Sequence, residues 1–373
     1  MQRALAGTMR VKRMAEAIVV GGGVMGLASA RELRRRGYSV TLLDRAQPGR
    51  AASWASAGII GATLRDESDP QHALRRLSRQ LWPAFAAAVH EESGFDPEYR
   101  EMGCIQLATT EDELDWLQRA AKQADEAAFL DAAQLRQEEP ALADDLPGGL
   151  KVPGGNVDNR RLCRALEISI RRAGVTMLTG TEVRALKTSG GRVTGVTTNE
   201  APLDAELVIL AAGAWSATID GVRPRPPVVP QKGQIFALDQ SRVGLRHVLL
   251  TPGDPYFVPR ADGRLVIGAT REEAGWDPSL TAGGIAWLLN RAMRVVPSLS
   301  GCPILELWTG FRPLSEDGLP LIGRAAVDGL YFLTGHGPSG IAPLPGSVAL
   351  LMALIDGTEP PIAPAAFDPL RFS

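Results

Sequence analysis

An α/β fold is predicted from three features of the sequence. A short β-branched run at residues 17–20 leads directly into Gly21-x-Gly23-x-x-Gly26, a helix-periodic stretch and a second apolar run. Buried-strand runs recur at 207–210, breaking into Ala-Gly, and at 330–333, leading into a glycine-rich turn. At 234–238, 256–259 and 265–269, alternating runs separated by Pro, Gly and Asp read as antiparallel strands. The chain of 373 residues is long enough for two or three domains at roughly 150 residues each.

Composition narrows the class of function. Hydrophobic residues make up 45% and charged residues 22%, as in folded globular domains. The net charge of −2 gives no electrostatic basis for nucleic-acid binding, because little counterion release would accompany it. Cys104, Cys163 and Cys302 lie far apart, which fits a reducing compartment and no disulfide framework. The four histidines show no metal-ligand spacing, so no metal site is expected. Residues 1–14 are basic without an apolar stretch and read as a disordered extension. No run of 18 apolar residues suggests a membrane span, and a cytoplasmic protein is expected.

The first segment has the order strand, glycine turn, helix, strand, acid. Its helix is expected over 27–36 with Gly37 beyond its end, and its second strand over 38–43, closed by Asp44. In a dinucleotide site, Gly21 allows the tight turn, Gly23 admits a pyrophosphate to the backbone and Gly26 lets helix approach strand. The helix N-terminus offers free N–H groups to phosphate, and Asp44 can accept from ribose hydroxyls. This context supports a Rossmann-like dinucleotide site but does not choose between NAD and FAD.

Later segments favour FAD. Residues 49–61, GRAASWASAGIIG, are mostly small and without periodicity, as suits backbone passing beneath a large planar ligand. The strand at 207–210 breaks into Ala211-Ala212-Gly213. The run at 330–333 leads to GHGPSGI at 335–341, followed by a helix expected over 345–355. A second helix N-terminus there could stabilise negative charge on a reduced flavin.

The chain resembles the D-amino-acid-oxidase-like flavoproteins, most closely the glycine oxidase branch associated with thiamine biosynthesis. The resemblance runs from Glu16 to about Phe367 and is carried by VVGGGVMGLASARELRRRGYSVTLLDR, SWASAGIIGA, VILAAGAWS, PYFVPRADGRLVIGAT, WTGFRPLSEDGLPLIGR and GHGPSGI. It implies non-covalent FAD held by Gly21, Gly23, Val24, Met25, Gly26, Asp44, Arg45, Ala52, Ser53, Ser56, Ala57, Gly58 and Ile59. Val183, Ala212, Gly213, Trp215, Arg312, Gly335, Pro338, Ser339, Gly340 and Ile341 complete the implied cofactor set. The expected domains are a discontinuous FAD-binding domain (15–90, 150–226 and 305–367) and a substrate domain (91–149 and 227–304) with a mainly antiparallel sheet. Residues 223–230, with four prolines, read as a linker, and 111–124 as a solvated acidic helix.

The resemblance also implies the chemistry: oxidative deamination of glycine or another small amino acid or secondary amine, with hydride passing from Cα to flavin N5. O₂ would then be reduced to H₂O₂. Arg312 matches the carboxylate-binding arginine, and a guanidinium suits that role because it stays charged and pairs bidentately. Tyr256 matches a pocket tyrosine, and His336 is expected to bond locally rather than act as a base. Three positions depart from the glycine oxidase pattern: Pro338 replaces an arginine, Asp254 a histidine and Arg271 a methionine. Arg271 reads either as a replacement carboxylate or side-chain binder or as a solvent-facing strand end. A homo-oligomer is expected. A dehydrogenase using an acceptor other than oxygen, and a non-catalytic FAD-binding subunit, remain as alternatives.

Overall fold

The computed structural model describes residues 15–61, 69–122, 126–253 and 255–373. The proposed N-terminal extension and Asp254 lie outside the described residues.

Two large sheets organise the chain. The first has six strands in the order Leu321–Arg324, Leu330–Thr334, Leu207–Leu210, Glu16–Val20, Ser39–Asp44 and Thr176–Thr179. All of its pairings are parallel except that between the two C-terminal strands. Both faces are covered, which explains why its strands read as unbroken apolar runs. Ala17 and Val19 face a cluster shared with helices Val24–Arg35, Pro70–Ser93, Asn159–Arg172 and Leu344–Asp356. Ile18 and Val20 face the opposite way, toward a three-stranded antiparallel sheet that contributes Val183, Leu186, Val193 and Val196.

The second sheet has eight strands: Ile304–Ser315, Val228–Asp239, Arg264–Gly268, Tyr256–Pro259, Val248–Leu250, Cys104–Ala108, Gly148–Val152 and Ala128–Asp131. Only the pairing of Val248–Leu250 with Cys104–Ala108 is parallel, so the sheet is mainly antiparallel as expected. Residues along Val228–Asp239 alternate between its two faces. Phe236 and Leu238 pack toward helix Ala282–Val295 through Leu288, while Ile235 and Ala237 pack toward Ala55 and Ala57.

Several limits drawn from the sequence move. The first helix begins at Val24, because the glycine turn feeds it directly. The long strand begins at Val228, so the last residues of the proline-rich 223–230 segment are paired, with Pro230 opposite Pro313. Boundaries placed at 150 and 305 fall within strands Gly148–Val152 and Ile304–Ser315 of the eight-stranded sheet. No helix among the described residues is long and apolar enough to cross a membrane.

Candidate active site

Three neighbouring parallel strands, Leu330–Thr334, Leu207–Leu210 and Glu16–Val20, end side by side in the three glycine turns. Ligands bind at the carboxyl ends of strands in such sheets. Close packing explains the first turn. A Cβ on Gly21 would collide with the Ala211 carbonyl, and one on Gly26 with the Gly21 carbonyl. Helix Val24–Arg35 has Gly23 at its N-cap position, which carries no side chain to cap it. Ser53, on the short helix Ala52–Ala55, accepts from the Val24 N–H at 3.0 Å, which leaves its own proton to donate.

Asp44 sits beside this turn. Its Oδ2 accepts from the Gly22 N–H at 2.7 Å and its Oδ1 from the Ala46 N–H at 2.8 Å. Burial raises its carboxyl pKa above the usual carboxylate range, against the lowering effect of those N–H groups and of Arg45. The Arg45 guanidinium lies 4.7 Å from the Trp215 ring centre, joining two predicted cofactor residues that are distant in sequence. Val183 is buried at the start of its strand, in the cluster that contains Val20 and Leu43. No heavy atom approaches within 4 Å of a Cβ built on Gly213, so open space lies beside that turn.

The small-residue loop is held through its carbonyls. Trp308 Nε1 donates to Ala55 at 3.0 Å, Asn159 Nδ2 donates to Ser53 and Trp54 at 2.8 Å, and Arg260 Nη2 donates to Ala57 at 3.0 Å. Ser56 Oγ donates to the Ser53 carbonyl, and the Gly58 carbonyl accepts from Val157 N–H, just before strand Ile59–Gly61. Arg260 is buried and also donates to Asn156, Asn159 and the Val157 carbonyl. Burial lowers its pKa to about 10, against the opposing pull of Asp158. The third turn carries Gly335, Pro338, Ser339, Gly340 and Ile341 and bridges to Leu314 through His336. His336 Nε2 lies 3.1 Å from Ser347 Oγ, and burial lowers its pKa to about 3, so the ring stays neutral.

Arg312 and Tyr256 approach the same short stretch of backbone from opposite sides. Arg312, on strand Ile304–Ser315, reaches across Gly233 of the next strand, and its Nη1 donates to the Thr270 carbonyl at 3.0 Å and the Lys232 carbonyl at 3.3 Å. A Cβ on Gly233 would stand 2.7 Å from both terminal guanidinium nitrogens. Tyr256 reaches over Gly268 from the other side, where a Cβ would stand 2.5 Å from its hydroxyl. Both polar heads therefore lie against 268–270. Gly233 and Gly268 were not recognised from sequence, although a glycine within a strand is a recognised sign of close approach. Arg260 was also missed. Arg271 is exposed and lines an open cleft with Gly253, Glu272, Thr281 and Trp287.

Residues 16–354 match the family described as FAD dependent oxidoreductase. The chain belongs to that family. It is 35% identical to the glycine oxidase of Pseudomonas aeruginosa over 94% of its own length and 98% of that protein. The crystal structure of glycine oxidase from Geobacillus kaustophilus superposes with a TM-score of 0.89 at 32% identity, covering 95% of this chain and 98% of that one. That of iminodiacetate oxidase from Chelativorans sp. BNC1 gives 0.85 at 29% identity, with the same coverage. This flavoenzyme takes FAD as its cofactor, and the residues present suit it. The helix N-terminus at Gly23, the acceptor at Asp44, the small-residue loop and the open space beside Gly213 are of the kinds that phosphate, ribose and ring would require.

Proposed function

We propose that this enzyme oxidatively deaminates glycine or another small amino acid or secondary amine, using O₂ and releasing H₂O₂. The reading rests on Arg312 and Tyr256, a fixed cation and a hydroxyl lying against one stretch of backbone, with the Arg312 strand packed on the 213–218 and 337–339 turns. FAD bound at the strand ends supplies the acceptor for the hydride from the substrate Cα. Arg312 holds the substrate carboxylate, Tyr256 donates its hydroxyl proton to it, and together they hold Cα in one orientation. Neutral, buried His336 serves as packing and needs no part in proton transfer. The iminodiacetate oxidase likeness supports including secondary amines that carry a carboxylate.

The test is a panel of glycine, sarcosine, D-alanine and iminodiacetate with peroxide detection on the purified yellow protein. Peroxide formation with at least one of them is expected. Flavin reduction without peroxide would assign the electrons to another acceptor. An Arg312→Ala enzyme should keep FAD and raise KM strongly, since losing a charged hydrogen-bonded pair costs about 1.5–3 kcal/mol.

A further inference from the structure

The face of the eight-stranded sheet turned away from Arg312 carries a polar network, buried at Lys232, Gln234 and Thr270 and reaching the open cleft at Glu272 and Thr281, that the reaction does not use. Gly233, beneath the guanidinium, alternates along its strand with Lys232 and Gln234, so their side chains leave the opposite face. Lys232 is 1% exposed, and its Nζ lies 3.2 Å from Glu272 Oε2. Glu272 Oε1 accepts from Gln234 Nε2 at 2.8 Å and from Thr270 Oγ1. Gln234 Nε2 also donates to Thr281 Oγ1, and Gln234 Oε1 accepts from the Thr281 N–H. Although burial opposes it, the hydrogen bonds from Thr270, Gln234 and Lys232 hold the Glu272 carboxyl below the usual carboxylate range.

The backbones of the same residues are joined as well. Lys232 and Glu272 exchange N–H···O bonds, both at 3.0 Å, and the Gln234 N–H donates to Thr270 Oγ1. These bonds fix two residues, Lys232 and Thr270, whose carbonyls accept from Arg312 Nη1 on the front face. Each of these two residues thus bonds Glu272 through its side chain behind the sheet and Arg312 through its carbonyl in front. A buried ammonium that lost its carboxylate would have to move or find another partner, and its backbone would move with it.

We propose that Lys232 and Glu272 are positioning residues: their ion pair behind the sheet sets the two carbonyls that aim Arg312 at the substrate carboxylate. This rests on the reading of Arg312 given above. The pair acts on where the guanidinium stands, so its loss should weaken carboxylate binding while leaving FAD in place. Misplacement by about 1 Å can cost on the order of 100-fold, so an effect of roughly ten-fold or more is expected.

The experiment uses FAD-loaded Lys232→Met, Glu272→Gln, the double variant and Arg312→Ala alongside the parent enzyme. Two quantities are read for each: KM for the best substrate in the amine panel, and the Kd of acetate measured by its perturbation of the flavin spectrum. Lys232→Met and Glu272→Gln should each raise both quantities, the double variant should be no worse than the poorer single, and bound FAD should stay unchanged. If Lys232→Met does not fold, Glu272→Gln carries the same test. Unchanged KM and acetate Kd in folded Lys232→Met or Glu272→Gln, while Arg312→Ala loses both, overturn the positioning role alone. Unchanged values in Arg312→Ala overturn the reading of Arg312 and this role with it.

Discussion

Single residues in this site work by making room as much as by making bonds. The Arg312 guanidinium occupies space that exists only because residue 233 has no Cβ. A Gly233→Ala variant should therefore raise KM by roughly ten-fold or more while keeping FAD, read from steady-state kinetics and the flavin spectrum. His336 makes a second prediction. Its folded pKa, about 3, lies below the ordinary value, so between that value and pH 6.5 the unfolded chain binds the extra proton. Its contribution is complete above pH 6.5 and is lost as pH falls toward 3, by roughly 1 kcal/mol per pH unit. Thermal melts of His336→Gln should show a shallower loss of Tm below pH 6.5 than the parent. Arg312 and Tyr256 could be read in the sequence because they stand inside distinctive motifs. Gly233 and Lys232 could not, because the strand is expected only over 234–238 and both residues fall between it and the proline-rich 223–230 segment, until the partner strand brings Arg312 across them.

At the level of elements, the proposed cofactor end is an assembly of strand ends and the N-terminus of one helix. Gly26→Ala would press its methyl group into the Gly21 carbonyl and push helix Val24–Arg35 away from the first strand. The purified variant should lose most of its flavin absorbance, whereas substitution of solvent-facing Glu111 on helix Glu111–Ala121 should not. The elements around the glycine turn were legible because strand, turn, helix and acid follow one another locally. The small-residue loop was legible only as a composition, since its order comes from Trp308, Asn159 and Arg260, all remote in sequence. The strand containing Lys232 was underestimated for a related reason. Its first residues include Pro230, Gln231 and Lys232, and pairing with Ile304–Ser315 overrides that composition.

Across the whole molecule, both proposed substrate segments contribute strands to one sheet and share a buried clamp. Glu139, fully buried, accepts from the Arg246 and His247 N–H groups and lies 2.7 Å from His247 Nδ1. Removing the carboxylate takes the acceptor from the buried His247, so Glu139→Ala should destabilise the protein by about 1–3 kcal/mol, visible as a lowered Tm. Sequence periodicity could not reveal that clamp, because it joins segments more than a hundred residues apart. The overall architecture was legible from recurring glycine-ended strands, but its boundaries were not. Strands Gly148–Val152 and Ile304–Ser315 are assigned by their hydrogen-bonded neighbours rather than by their own residues.

The central claim is that Arg312 and Tyr256 present a small amine carboxylate to bound FAD. Anaerobic mixing of the yellow protein with glycine, sarcosine, D-alanine and iminodiacetate tests it most directly. At least one is expected to bleach the flavin band, and admitting air to restore the colour with formation of H₂O₂. Fully FAD-loaded protein whose spectrum none of these compounds alters would contradict it.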